Sequence, residues 1–328
     1  MKTLDTKKLI PLILGLIILI GIPVYLVNQE NQTVQTTQIE QTVSIQHESG
    51  ITEVKVNPKR IVCMDFGVLD ILDQYGIQPE MLATPKAYTP SYLSKYNTDK
   101  VEDIGGMKQP NLEKIKSLNP DLIIISGRAE PYYEKLNEIA PTINLRVDNN
   151  NYMPSLKNQM DILATIFNKQ DKAEGLYTAL ENKVSSVREL SETSGKKGLM
   201  VITVGNKINA YGPGMRFGLL FDKSALNLNS VIQNDGSVGS KSPAGKVISY
   251  EFIKEANPDY ILIIDRNAAV HMDKETAHSL FDNELVKQTN AYKNNKIVYL
   301  DNDVWYLANN GVMSTLKMVD DIAEVLKY

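Results

Sequence analysis

The chain has 328 residues, enough for about two domains at roughly 150 residues each. Its hydrophobic fraction of 43% and charged fraction of 23% are those of an ordinary globular protein, which argues against a disordered or fibrous chain. A net charge of −4 gives no basis for nucleic acid as the partner, so any anion bound here must be drawn by local charge. The chain opens with Lys2, Lys7 and Lys8 ahead of "LIPLILGLIILIGIPVYLV", residues 9–27, an uncharged run of 19 residues that is long enough as a helix to cross a bilayer. The positive flank puts the N-terminus in the cytoplasm and the remainder outside. "VYLVNQENQ" offers no small-residue exit, so residues 1–28 read as a retained membrane anchor in preference to a removed signal.

Residues 29–42, rich in Gln, Thr and Asn, read as a flexible tether. "TVSIQHESGITEVKV" then alternates apolar and polar residues around Ser49-Gly50 and predicts a β-hairpin. Cys63, the single cysteine, lies in the strand-like "RIVCMDF" and reads as a small core residue with no disulfide partner. Next come a helix near "VLDILDQYG", a strand at "EMLAT", a helix at "NLEKIKSLN", a strand at "DLIIIS" and a helix at "PYYEKLNEIA". Strands that alternate with helices imply parallel βαβ units.

From Pro154 to Glu189 the pattern is almost entirely helical, and "KAEGLYTALENKVSSVREL" is long, rich in good helix formers and broken at "SETSGKKG". The expected class is α/β: two Rossmann-like lobes, residues 43–168 and 193–328, joined by a bridging helix over 169–192 with a ligand cleft between the lobes. The second lobe repeats the alternation through "GLMVITV", "DYILIID" and "KIVYLD" and closes on the helix "STLKMVDDIAEVLKY".

One phrase occurs twice. Residues 111–128 and 249–266 align without gaps and agree at nine of 18 positions, including Glu113 with Glu251, both Asn-Pro-Asp triplets and Arg128 with Arg266. Each copy reads as helix, turn, buried strand, arginine. Proline disfavours the helical conformation in the residue before it, so the triplet stops each helix. Nothing in α/β grammar requires an arginine past the C-terminal end of each strand, where open parallel sheets place their ligands.

"VEDIGGMKQPNLEKIKSLNPDLIIISGR", "INAYGPGMRFG", "NPDYILIIDRN" and "VYLDNDVWYLANNG" resemble the iron–siderophore-binding proteins of bacterial ABC importers, in the branch that carries catecholate siderophores. The resemblance runs from about residue 43 to the C-terminus and is specific at these four segments. It implies that Arg128, Arg216 and Arg266 line the cleft and contact catecholate oxygens. It implies also that the Tyr306 phenolate can complete the coordination of Fe(III), and that Glu113 and Glu251 dock the two lobes onto the membrane permease. The partners it implies are a ferric siderophore and the ABC permease subunits, with no intrinsic cofactor and a monomeric, membrane-anchored chain whose binding domain lies outside the cytoplasm. The physics runs the same way, because guanidinium groups offer fixed forks of donors and a face that stacks on electron-rich rings.

Taken singly, an arginine after a strand is most often a solvated or ion-paired surface residue, a tyrosine such as Tyr306 packs in the core, Trp305 fits core or cleft wall, and an acid in the first helical turn answers the helix dipole. An enzyme is the rival class. "SKSPAGKV" at 240–247 fails the phosphate-loop pattern at Ser240 and Val247, and His47, His271 and His278 have no metal-ligand spacing. A haem- or corrinoid-binding protein of the same importer class also stays open, since fold does not fix ligand. One departure from the resemblance stands out: relatives that accept tetradentate catecholates carry a histidine in the loop ahead of the second repeated helix, where this chain has Ala244, and nothing in its spacing makes His271 a substitute. The expectation is a preference for hexadentate catecholates or mixed catecholate–carboxylates.

Overall fold

The structure, a computed structural model, describes residues 41–233, 245–270 and 277–327. The expected anchor over residues 1–28 and the expected tether as far as residue 40, together with Ala244, His271 and most of the segment 240–247, lie outside the described residues. The ordered chain begins with the expected hairpin, β1 (Thr42–His47) against β2 (Gly50–Lys55), paired from Thr42↔Lys55 to His47↔Gly50. In the first lobe β3 (Arg60–Cys63), β4 (Met81–Thr84), β5 (Glu102–Asp103), β6 (Leu122–Ile125) and β7 (Thr142–Asn144) form an all-parallel sheet in the order β5-β4-β3-β6-β7. Helix α1 (Phe66–Gln74) follows β3 and helix α2 (Leu112–Ser117) precedes β6. The "PYYEKLNEIA" stretch is shorter than a full helix: a 3₁₀ turn at Glu130–Tyr132 runs into a helix over Tyr133–Asn137.

Helices α3 (Tyr152–Phe167) and α4 (Gln170–Ser194) carry the chain across. In α4 the buried residues Ala173, Leu180, Val184, Val187 and Ser191 recur at helical spacing and face the core, and the helix ends at Gly195, whose φ of 63° is the left-handed cap that glycine takes without steric cost. The second lobe contains β8 (Lys197–Val204), β9 (Lys207–Tyr211), β10 (Asn229–Ser230), β11 (Lys246–Ile248), β12 (Tyr260–Asp265) and β13 (Ile297–Tyr299), with α5 (Tyr250–Ala256) before β12 and α6 (Val312–Leu326) last. Its sheet order is β11-β9-β8-β12-β13, with β10 beside β8. Here the sheet is mixed: β8, β12 and β13 are parallel, but β9 turns back antiparallel on β8 and β11 on β9. The cause is the Gly205-Asn206 hairpin turn, which joins neighbouring strands with no helical crossover.

The two copies of the repeated phrase fold alike. Asn119 and Asn257 both take positive φ, 44° and 42°, a conformation asparagine tolerates better than most residues, and so end α2 and α5. The aspartate two residues later ties each copy to the start of its neighbouring strand: Arg60 N donates to Asp121 Oδ2 at 2.9 Å and Lys197 N to Asp259 Oδ2 at 2.8 Å. The strands that follow are buried on both faces, as parallel strands covered by helices must be. Leu122 and Ile124, like Leu262 and Ile264, join one central core shared with α1, α3, α4 and α6, whereas Ile123 and Ile125, and Ile261 and Ile263, belong to two separate outer cores. The two lobes are therefore held by one continuous apolar cluster behind the cleft.

Candidate functional site

A cleft of about 970 Å³ opens where the strands of the first lobe end. One wall follows the C-terminal ends of β3, β6 and β7 and includes Asp65, Ser126, Arg128 and Arg146; the other comes from the loop after β9, with Met215 and Arg216, and from the segment after β13, with Tyr306 and Asn310. This is the placement that open parallel sheets favour, because loops beyond the strand ends are free to diverge while the sheet holds them in register. Asp65 caps α1 by accepting from Val68 N at 3.0 Å, and its other oxygen takes the Ser126 hydroxyl, which fixes the floor between β3 and β6.

The arginines converge on one residue. Arg128 Nη1 donates to Leu307 O at 3.1 Å, Arg128 Nη2 donates to Tyr306 O, and Arg216 Nη2 reaches the same Tyr306 carbonyl at 2.8 Å. Arg128 therefore spans from the first lobe to the second. The Arg216 guanidinium also lies over the Tyr306 ring, 4.5 Å from its centroid, and that of Arg128 lies 5.5 Å away. Tyr306 belongs to a single π-helical turn, Asp303–Leu307, whose last carbonyls lack an intrahelical partner and are the ones these donors satisfy. Arg216 is presented by "GPGMR": Gly214 at φ 78° closes the turn, and Met215 N donates to Gly212 O at 3.2 Å.

Arg266 differs from its counterpart. It immediately follows β12, and its Nε donates to the Tyr306 hydroxyl at 3.1 Å, but it is not among the described residues lining the cleft. Burial alone would push the Tyr306 phenol up, but the charge of Arg216, the hydrogen bond and charge of Arg266 and the charge of Arg128 together carry it below the usual phenol range. Burial and then the like charge of Arg128 lower the pKa of Arg216, with Tyr306 and Tyr211 opposing; a guanidinium nonetheless remains a cation at neutral pH.

Glu113 and Glu251 stand apart from this cleft, each exposed in the first turn of its helix. Asn111 caps α2 by accepting from Lys114 N at 2.9 Å and Ser249 caps α5 by accepting from Phe252 N at 3.3 Å, so both acids project from fixed helix starts. The hydrogen bonds from its own backbone N–H and from Ser249 hold the Glu251 carboxyl below its ordinary range. Trp305 is core: it is fully buried, donates through Nε1 to Asp321 at 2.7 Å and packs near Phe217 at 6.3 Å between ring centroids.

Sequence reasoning missed two further cations on the cleft, Lys108 and Arg146. Lys108 is exposed on the hairpin between Gly105 and Pro110, inside the "GGMKQP" segment, and the two glycines ahead of it were the available signal. Arg146 is exposed and only loosely paired to Glu130, at 3.5 Å, an arrangement worth little in water. It follows a three-residue strand that no periodicity marks.

A family model described as periplasmic binding protein matches residues 61–304. The chain is 37% identical over 286 residues to the petrobactin-binding protein YclQ of Bacillus subtilis (strain 168), covering 87% of this chain and 88% of that protein. It is 32% identical over 298 residues to the ferric-anguibactin-binding protein FatB of Vibrio anguillarum, covering 89% of each. Among solved structures, the periplasmic catecholate-siderophore binding protein VctP from Vibrio cholerae matches with a TM-score of 0.78 at 32% identity, covering 86% of this chain and 99% of that one.

Proposed function

The chain belongs to the periplasmic binding protein family, and from that premise we propose that it captures a ferric catecholate-type siderophore outside the cytoplasm and delivers it to an ABC permease for iron uptake. The observation that carries this reading is the convergence of Arg128 and Arg216 around Tyr306 at a cleft whose rim adds Lys108 and Arg146. Three doubly deprotonated catechol rings around Fe(III) leave a net charge of about −3, spread over planar oxygen donors that guanidinium forks and faces match. The cleft holds like charges together, and an anion relieves that repulsion. Its volume is in the range of small-molecule sites.

In this reading Arg128, Arg216 and Arg266 contact the catecholate oxygens, and Tyr306, whose hydroxyl accepts from Arg266 Nε, presents a phenolate to any open iron site. Glu113 on α2 and Glu251 on α5 are the docking acids, one per lobe, and the apolar segment 9–27 tethers the binding domain to the membrane. Mixed with a ferric tris-catecholate, a neutral ferric trihydroxamate or haem, the protein should carry the coloured tris-catecholate complex alone through gel filtration. Co-elution of haem without the catecholate would overturn the assignment.

A further inference from the structure

Resting on the catecholate reading of the cleft, we propose that Arg146 is a specificity-determining residue: its guanidinium fork takes a carboxylate that the siderophore carries outside its iron-binding groups, in exchange for Glu130. Arg146 lines the cleft on the same wall as Arg128, but the two are used differently. Arg128 and Arg216 are half-buried and spend nitrogens on the carbonyls of Tyr306 and Leu307. The Arg146 side chain is 51% exposed and, among the described residues, donates no hydrogen bond. Its ion-pair partner is Glu130, whose Oε2 stands 3.5 Å from Nη1, beyond good hydrogen-bond length. Arg146 thus keeps its whole set of donors for a group that comes from outside.

The backbone under this fork is fixed. β7 pairs in parallel with β6 as far as Ile125↔Asn144, and Leu145 N extends the ladder by donating to Ile125 O at 2.9 Å, so Arg146 is the first residue released at the strand end. The N-terminal hairpin braces the same strand: Glu48 N donates to Asn144 O at 3.2 Å and Thr52 Oγ1 to Thr142 O at 3.2 Å. From there the side chain lies against the segment leading into Arg128, with Cδ and Nε 3.8 Å from the point a Cβ on Gly127 would occupy, an ordinary contact distance. Glu130 follows on that segment, in the 3₁₀ turn Glu130–Tyr132, and it too lines the cleft. A carboxylate therefore already stands near the fork, at a distance and in an exposure to water where the pair contributes little. A ligand carboxylate that fills the fork bidentately replaces this loose contact with two short charged hydrogen bonds, and Glu130 returns to solvent. Lys108, the other rim cation, presents a point charge and no planar fork to match a carboxylate.

The test uses the full chain and two ferric tris-catecholates that differ in one group, a free carboxylate on the ligand backbone in the first and its methyl ester in the second. Equilibrium titrations should show wild type favouring the carboxylate about tenfold, the scale of a hydrogen bond between charged groups. Arg146→Gln should lose about thirtyfold for the carboxylate and about threefold for the ester, which erases the preference. Arg146→Lys, which keeps the charge without the fork, should restore no more than about threefold of it. Glu130→Gln should widen the preference, because the competing carboxylate is gone, and in that background Arg146→Gln should again erase it. If Arg146 served only to neutralise Glu130, Arg146→Gln would be harmless once Glu130 is gone. A preference that survives Arg146→Gln in either background, full recovery in Arg146→Lys, or a preference lost in Lys108→Ala and kept in Arg146→Gln overturns the proposal. Equal affinity of wild type for the carboxylate and the ester overturns it as well and leaves the catecholate reading standing, whereas binding of neither complex removes both.

Discussion

Arg128 and Arg216 both donate to the Tyr306 carbonyl, and in the proposed function the same guanidinium groups meet the ligand. Both are half-buried, and the Tyr306 carbonyl they share belongs to a half-buried residue on the cleft wall, so truncating either should mainly remove charged hydrogen bonds to the proposed ligand. Arg128→Ala and Arg216→Ala should each weaken ferric catecholate binding by about 1.5–3 kcal/mol with little change in melting temperature. Wild-type affinity in both variants, measured by equilibrium titration, would remove these residues from the site. Asp70 poses a different problem at the same scale. It sits in α1, fully buried, and accepts from Met313 N at 3.2 Å and Ser314 N at 2.9 Å at the start of α6, so a carboxylate from one end of the chain holds a helix at the other. Burial pushes its pKa from 3.8 up to about 6 against these hydrogen bonds. The folded state then holds the proton more tightly than the unfolded chain does, so stability is lost as pH rises from about 4 to about 6 and is regained on acidification through that window. Chemical denaturation should find Asp70→Asn gaining on wild type by about 2–3 kcal/mol between pH 4 and pH 7, and a pH-independent difference would show that the carboxyl is not so perturbed.

Helices α2 and α5 are short and capped at both ends, by Asn111 and Ser249 at their starts and by the left-handed Asn119 and Asn257 at their ends. Such helices are rigid posts for an exposed acid. Glu113→Ala and Glu251→Ala should leave ligand affinity unchanged while lowering siderophore-dependent iron uptake in cells; lost ligand affinity would place the acids in the cleft. These elements were the most legible part of the sequence, since Asn-Pro-Asp carries its own mechanism: a left-handed asparagine, a proline that cannot continue the helix and an aspartate that caps the neighbouring strand. The antiparallel β9 and β11 were not legible as such. "VGNK" is a two-residue hairpin signal, but it joins runs whose flanking apolar residues read equally well as parallel strands, and only pairing distinguishes them. Strands of two or three residues, such as β5 and β7, are set by their neighbours in the sheet and leave no periodic trace.

At the scale of the molecule, a single apolar cluster running through both lobes sets the width of the cleft, and the charged walls set its contents. Two of those charges, Arg128 and Arg216, were readable because the family resemblance, and for Arg128 the repeated phrase, pointed at them. Their shared contacts with the Tyr306 carbonyl were not, because these turn on where a π-helical turn places that carbonyl. Lys108 and Arg146 escaped notice for a related reason: they come from a hairpin and a strand end, and the fold, with no help from local sequence, brings them to the cleft. The central claim is that converging positive charge selects an anionic ferric catecholate. Fluorescence quenching of Trp305, the single tryptophan, which is buried beside Phe217, reads this directly in titrations with a ferric tris-catecholate and a neutral ferric trihydroxamate of similar size. The tris-catecholate should bind at least about a hundredfold more tightly, the equivalent of about 2.7 kcal/mol, and equal affinity for the two would contradict the account.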